Sequence, residues 1–232
     1  MKSGAVGVTV VIPMKPVAQG KSRLDDVLDP PSRAALSLLL LGHVIQASRR
    51  SDLTGDHYVV GGDAWVQRLA ESESCRWRPD SGGGLNDAAS LGAQTAFGDG
   101  AKAMLLLPGD LGLLVTEDVD ALIQASKGLT RAVLSAAVRD GGTNAVLAPQ
   151  GSAFTPLFGP DSFVRHRKAM LQAGTPVGSI ERPGLGFDLD TPEDLAYYQS
   201  LRPDLANLME PLRRELAATM MSHSQHHERK PV

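Results

Sequence analysis

A single cysteine, Cys75, stands in 232 residues, which excludes an intramolecular disulfide and any zinc site built on several thiolates. A reducing, cytoplasmic setting fits that usage. Surplus positive charge is also missing. With 23 Lys and Arg against 26 Asp and Glu, the net charge is −3, which argues against a nucleic-acid binder, whose affinity comes from excess cations on the phosphate backbone. Any anion site must therefore be local. Long apolar runs are absent as well: Val6 to Ile12 and Ala34 to Leu41 are each too short to span a membrane, and no small-residue cleavage site accompanies the first. A soluble protein with no membrane partner is expected. Aromatic residues make up only 4%, and no Ser/His/Asp or Cys/His arrangement suggests covalent catalysis.

What is present suits an α/β domain. The 42% hydrophobic content is enough for one core, while 24 Gly and 15 Pro imply many turns and backbone-lined pockets. Short Val- and Leu-rich runs recur between helical patterns: Val8 to Ile12, Tyr58 to Val60, Met104 to Leu107, Ala132 to Val138, Ala145 to Ala148 and Pro176 to Ile180. Strands alternating with long helices imply crossover connections and a largely parallel central sheet flanked by helices. Ligands in such sheets sit beyond the carboxyl ends of the strands. Helix starts are expected at Ser32, at Thr116 with Glu117 and Asp118, and at Thr191, whose Pro192, Glu193 and Asp194 make the sharpest cap. The organisation expected is one domain over 1–200, a helical extension over 201–221 and a disordered end over 222–232.

Five segments carry chemistry-bearing residues. After the first strand come Lys15, Gly20, Lys21, Ser22 and Arg23; Gly20-Lys21-Ser22 resembles the end of a P-loop, but position 15 is a lysine where that pattern needs glycine. A basic loop leading from a strand can still hold a triphosphate; the alternative is a solvated turn. Pro108-Gly109-Asp110 follows the strand Met104 to Leu107 and offers a seat for a metal or a ribose, or merely a loop cap. Asp188 and Asp190, two apart in an extended segment, share one face, and two such anions repel unless a cation lies between them. Oxygen-only ligands favour Mg²⁺; the alternative is a helix cap beside a surface charge. Ser81 to Asp87 is a glycine-rich stretch whose Asn86 can meet a base edge, or else a flexible surface loop. Phe158 to Lys168 opens a helix in which Arg165 or His166 lies one turn from Ser162, and Gly141 to Asn144 adds donors nearby. A basic stripe on a solvated helix is the alternative.

Together the segments KSRL, LNDAA, PGDL, GGTNAVL, FGPDSFVRH and GFDLDTPEDL resemble the CofC/FbiD family of GTP-dependent guanylyltransferases of coenzyme F-420 biosynthesis, over about residues 8 to 200. The resemblance implies a single-domain nucleotidyltransferase fold, GT-A-like and Rossmann-like. It implies Asp110, Asp188 and Asp190 as ligands of Mg²⁺. Lys15, Lys21 and Arg23 would face the triphosphate of GTP as catalytic residues, with Asn86, Pro108 and Gly109 completing the nucleotide site. Thr143, Gly159, Ser162, Arg165 and His166 would meet the acid substrate, which is 3-phospho-D-glycerate, phosphoenolpyruvate or 2-phospho-L-lactate. A homodimer and a downstream coenzyme-assembly transferase are compatible partners. Other readings are a molybdenum-cofactor or sugar-phosphate nucleotidyltransferase, and a non-catalytic nucleotide-binding module. The implied reaction needs no general base, because a phosphate monoester with a second pKa near 6 is already largely dianionic at neutral pH.

Overall fold

The computed structural model describes residues 7–227, with side chains as far as 221. The Val- and Leu-rich runs supply the middle of a sheet: β1 (Val8–Met14), β2 (His57–Gly61), β4 (Ala103–Leu106), β5 (Ala132–Ala136) and β6 (Thr143–Pro149). Two short edge strands complete it, β3 (Arg76–Arg78) and β7 (Val177–Ser179). The sequence pattern did not reveal β3, because Arg76-Trp77-Arg78 is not an apolar run and an edge strand has no need to be one. The strand order is β3-β2-β1-β4-β6-β5-β7. As expected, the sheet is largely parallel, but β6 runs antiparallel to both β4 and β5. Its first residues, not its last, therefore reach the edge where the other strands end.

Alternation along β1 sorts the core into two layers. Val10 and Ile12 join the cluster containing Leu36, Leu40, Leu41 and Val44 of helix α1 (Pro30–Arg50). Val11 faces the opposite way, with Tyr58, Val60, Met104 and Leu106, onto Ala88, Ala89 and Ala96 of α3 (Leu85–Gly98). The remaining helices are α2 (Ala64–Ser72), α4 (Thr116–Ala125), α5 (Ser162–Gln172), α6 (Pro183–Gly186), α7 (Pro192–Leu201) and α8 (Leu205–His227). α8 packs along α1 through buried Leu205, Met209 and Leu216. It continues past the expected boundary at 221 to His227, so the first part of the expected disordered end is helical; residues 228–232 lie outside the described residues.

One helix start differs from expectation. Asp29, not Ser32, caps α1: its carboxylate accepts from the Ser32 N–H at 2.8 Å, and Pro30 and Pro31 fill the first turn, where their missing donors cost nothing. α4 opens at Thr116 as expected, with Glu117 and Asp118 in its first turn; Val115 takes the cap position, and the Thr116 hydroxyl donates to the Ala47 carbonyl at 3.0 Å. Thr191 caps α7 as expected, accepting from the Asp194 N–H while Asp194 accepts from the Thr191 N–H at 2.8 Å. Among the described residues no helix is long and apolar enough to cross a membrane.

Candidate active site

The chain leaving β1 is folded back under itself by two single helical turns, Val17–Gln19 and Ser22–Leu24, and Leu24 is fully buried as its anchor. Asp63, at the end of β2, fixes this loop. One of its carboxylate oxygens accepts from the Val17 N–H at 2.9 Å, and the other caps α2 through the N–H groups of Trp65 and Val66. Lys21 adopts φ 54°, a left-handed turn that sends its side chain inward to 6% exposure. Its ammonium stands 2.7 Å from Asp110 and 3.1 Å from Asp190. Burial opposes the charge on Lys21, but Asp110 and Asp190 together outweigh it and raise the ammonium pKa above its ordinary value.

Asp188 and Asp190 share a face, as their spacing predicts. Leu189 between them is fully buried, and its N–H donates to the Asp110 carbonyl at 3.2 Å, tying the two aspartate segments together. Burial first, and then repulsion from the neighbouring Asp110, push the Asp188 carboxyl above its ordinary value. Asp190 moves the other way: burial opposes ionisation, but Lys21, Arg139 and Arg23 lower it. Arg23 is the outermost of these, 64% exposed and 3.4 Å from Asp190.

Arg139 was not among the expected site residues, yet its guanidinium reaches three carboxylates: Asp194 at 2.7 Å, Asp188 at 3.1 Å and Asp190 at 3.3 Å. The one signal for it was its place before the Gly141-Gly142 turn at a strand end. Asp194 joins this network while also accepting from the Asp190 and Thr191 N–H groups, so the cap of α7 and the charge network are one structure. Among the described residues no three His, Cys, Asp or Glu side chains are gathered where one metal ion could be held. The three aspartates expected to form that set share one edge, but Lys21 and Arg139 neutralise them.

Beside this edge lies a cavity of about 540 Å³, lined by Lys15, Lys21, Arg23, Gly84, Leu85, Pro108, Gly109, Asp110 and Asp190, with Asp80 on its wall. Lys15 is exposed in it. Gly109 is required by packing within the chain: a Cβ there would lie 2.3 Å from the Met14 sulfur.

The residues expected to meet an acid gather at the start of β6 and α5, apart from that cavity. Thr143 accepts or donates to Ser162 at 3.0 Å and lies 3.0 Å from Nδ1 of His166. All three are buried. The Leu157 N–H donates to Nε2 of His166 at 2.8 Å, so that nitrogen is unprotonated and Nδ1 carries the hydrogen toward Thr143. Burial, with Arg165 nearby, lowers the His166 pKa to about 4 and keeps the ring neutral. His166 therefore holds Thr143 in place; with both nitrogens engaged and 1% exposure it does not face a ligand. Gly159 takes φ 122°, a left-handed value suited to glycine, in the turn into α5. Two N–H groups of that helix start are already engaged, Ser162 by Gly159 and Phe163 by Gly141, so fewer donors stand free there than the sequence suggested. Arg165 is exposed and outside the hydroxyl chain. Asn86, expected at a base edge, turns its amide to the backbone of Phe158, accepting from its N–H at 2.7 Å and donating to its carbonyl at 3.4 Å.

Comparison with known proteins meets this geometry. Residues 8–198 match the family described as "Guanylyl transferase CofC like". The chain is 40% identical over 191 residues to the phosphoenolpyruvate guanylyltransferase of Rubrobacter xylanophilus, covering 82% of this chain and 93% of that one. It is 37% identical over 197 residues to the enzyme of the same name from Chloroflexus aggregans, covering 82% and 95%. In fold it is similar to a chain from Desulfovibrio desulfuricans G20 assigned to the nucleotide-diphospho-sugar transferases, with a TM-score of 0.68 at 18% identity over 90% of this chain and 98% of that one.

Proposed function

Because the chain belongs to the family of CofC-like guanylyl transferases, we propose that it transfers GMP from GTP to the phosphate of phosphoenolpyruvate, releasing pyrophosphate, as a step in coenzyme F-420 biosynthesis. 3-Phospho-D-glycerate and 2-phospho-L-lactate are the competing acceptors. The observation that carries the reading is the meeting of Lys21, Asp110 and Asp190 on the wall of a cavity of nucleotide size, while Asn144, next in sequence to Thr143, donates to Asp188 at 3.3 Å and so ties the start of β6 to the same edge.

Two anions must be brought together and aligned, which is the main barrier to this transfer. Lys15, Lys21 and Arg23 line the cavity and meet the triphosphate there, with Pro108 and Gly109 also in the lining. Lys21 carries the largest share, since its buried ammonium loses little by exchanging a carboxylate for a phosphate oxygen. Asp110, Asp188 and Asp190 are the oxygen donors that would take up Mg²⁺, but only once phosphate oxygens draw Lys21 and Arg139 away from them; the ion would then offset charge on the phosphate being transferred. Arg139 keeps Asp188 and Asp190 apart from each other's charge and is available to the incoming acceptor phosphate when they are otherwise neutralised. The acceptor's carboxylate is met by the exposed Gly159 backbone, and by the Thr143 and Ser162 hydroxyls only as that turn moves to uncover them, since both are buried.

Incubation with each nucleoside triphosphate, Mg²⁺ and each of the three acids, with pyrophosphate release as the readout, tests the reading. Turnover is expected with GTP and greatest with phosphoenolpyruvate; release with ATP or CTP alone, or with a sugar phosphate and none of the acids, would overturn it.

A further inference from the structure

Asn86 and Phe158 are 72 residues apart in sequence, and one carboxamide joins the helix start at the cavity to the turn that leads to Thr143 and Ser162. Asn86 sits beside Gly84 and Leu85, which line the cavity, on the first turn of α3. Its Oδ1 accepts from the Phe158 N–H at 2.7 Å, and its Nδ2 donates to the Phe158 carbonyl at 3.4 Å, so the amide mimics a neighbouring strand to a single residue. Phe158 in turn fixes His166. Its ring meets the imidazole edge-on at a centroid distance of 4.8 Å, and the preceding N–H, of Leu157, donates to His166 Nε2. From His166 the bonds run to Thr143 and on to Ser162.

We infer that Asn86 is a positioning residue that couples the two subsites: it sets Phe158 and, through His166, the Thr143 and Ser162 hydroxyls that receive the acid. The inference rests on the acid reading of those hydroxyls given above. An Asn that reads the base would keep its amide edge free for the ligand; here both ends of that edge are engaged by backbone. The pairing also gives a route by which occupancy at the cavity wall tightens the acid pocket, because α3 begins at that wall.

The test is Asn86→Ala in the full chain, with GTP, phosphoenolpyruvate and Mg²⁺. Since the pair is open to water, a rise in the acid KM of about threefold to tenfold is expected, with the GTP KM and the preference for GTP over ATP unchanged. Combined with His166→Phe, the substitution should add little, because both variants release the same loop. Loss of the GTP preference with an unchanged acid KM would make Asn86 a base reader, and additive effects of the two variants would break the chain through His166; either result overturns the inference. Backbone amide exchange in the ligand-free protein separates this from failure of the functional reading. Asn86→Ala should speed exchange at Phe158 and Leu157, and unchanged exchange there overturns the coupling. If the unmodified protein turns over none of the three acids, the functional reading falls while exchange still decides the role of Asn86.

Discussion

At the nucleotide end of the site, Lys21, Arg23 and Arg139 share Asp110, Asp188 and Asp190; every group is charged, and all but the buried Lys21 are at least partly reached by solvent. At the acid end, Thr143, Ser162 and His166 form a neutral chain that is buried throughout. Charged partners near a surface can be exchanged for a ligand's phosphates at small cost, because one Coulomb partner replaces another. A buried neutral chain has no such freedom, since any member that turns away leaves a desolvated donor or acceptor. One end is thus built to rearrange around a ligand and the other to hold its groups fixed, and substitutions at the two ends should fail differently.

The largest effect is expected from Asp190→Asn. It removes the carboxylate shared by Lys21, Arg23 and Arg139, and turnover measured as pyrophosphate release in Mg²⁺ should fall on the order of 10²- to 10³-fold. Circular dichroism should stay unchanged; near-native turnover would remove Asp190 from the charged network's function.

Ser162→Ala tests the fixed end. Loss of one hydrogen bond to a charged group costs about 1.5–3 kcal/mol, so the acid KM should rise while GTP binding, followed by calorimetry, stays as it was. Weakened GTP binding with an unchanged acid KM would place Ser162 on the nucleotide side and erase the contrast between the ends.

His166→Phe keeps a ring but strands the Leu157 N–H and the Thr143 hydroxyl, so the unfolding free energy from urea titration should drop by about 1–3 kcal/mol. The pH dependence has a defined sign. His166 and His57 both have pKa values lowered from 6.5 to about 4, chiefly by burial, so the folded state binds these protons less readily than the unfolded chain. Their contribution is complete above pH 6.5 and is lost as the pH falls toward 4, at about 1.4 kcal/mol per pKa unit for each ring. In His166→Phe that acid-side loss should be shallower; an unchanged slope between pH 6.5 and 4 would mean the ring is not held neutral.

The smallest effect is expected at Cys75, which lies in neither end. Burial raises its thiol to about 11, and the transfer has no covalent step, so alkylating reagents should react slowly and leave turnover intact. A loss of turnover on alkylation, with the fold retained, would bring a third region into the site.

Much of the charged end was legible from sequence. Lys21, Asp110, Asp188 and Asp190 each follow a strand or precede a sharply capped helix, and ligands collect where strands end. Arg139 was missed because a lone arginine before a glycine turn has no local sign that three carboxylates, 49 to 55 residues further on, will surround it. His166 and Asn86 were visible as residues but misjudged in direction: side chains able to meet a ligand are equally able to meet a backbone, and only packing decides which.

What the sequence by itself determined is the set of elements and their two-sided burial: apolar runs of strand length, capped helices, and the alternation along β1 that feeds two core layers. Residue spacing also placed Asp188 and Asp190 on one face, a consequence of extended backbone alone. Only the tertiary structure decided that β6 enters the sheet antiparallel, because strand direction depends on how loops of a given length can close and is not written in an apolar run. That one reversal brings Thr143, at the start of β6, to the edge where Asp110 and Arg139 follow the ends of their strands, and so sets the acid pocket beside the charges.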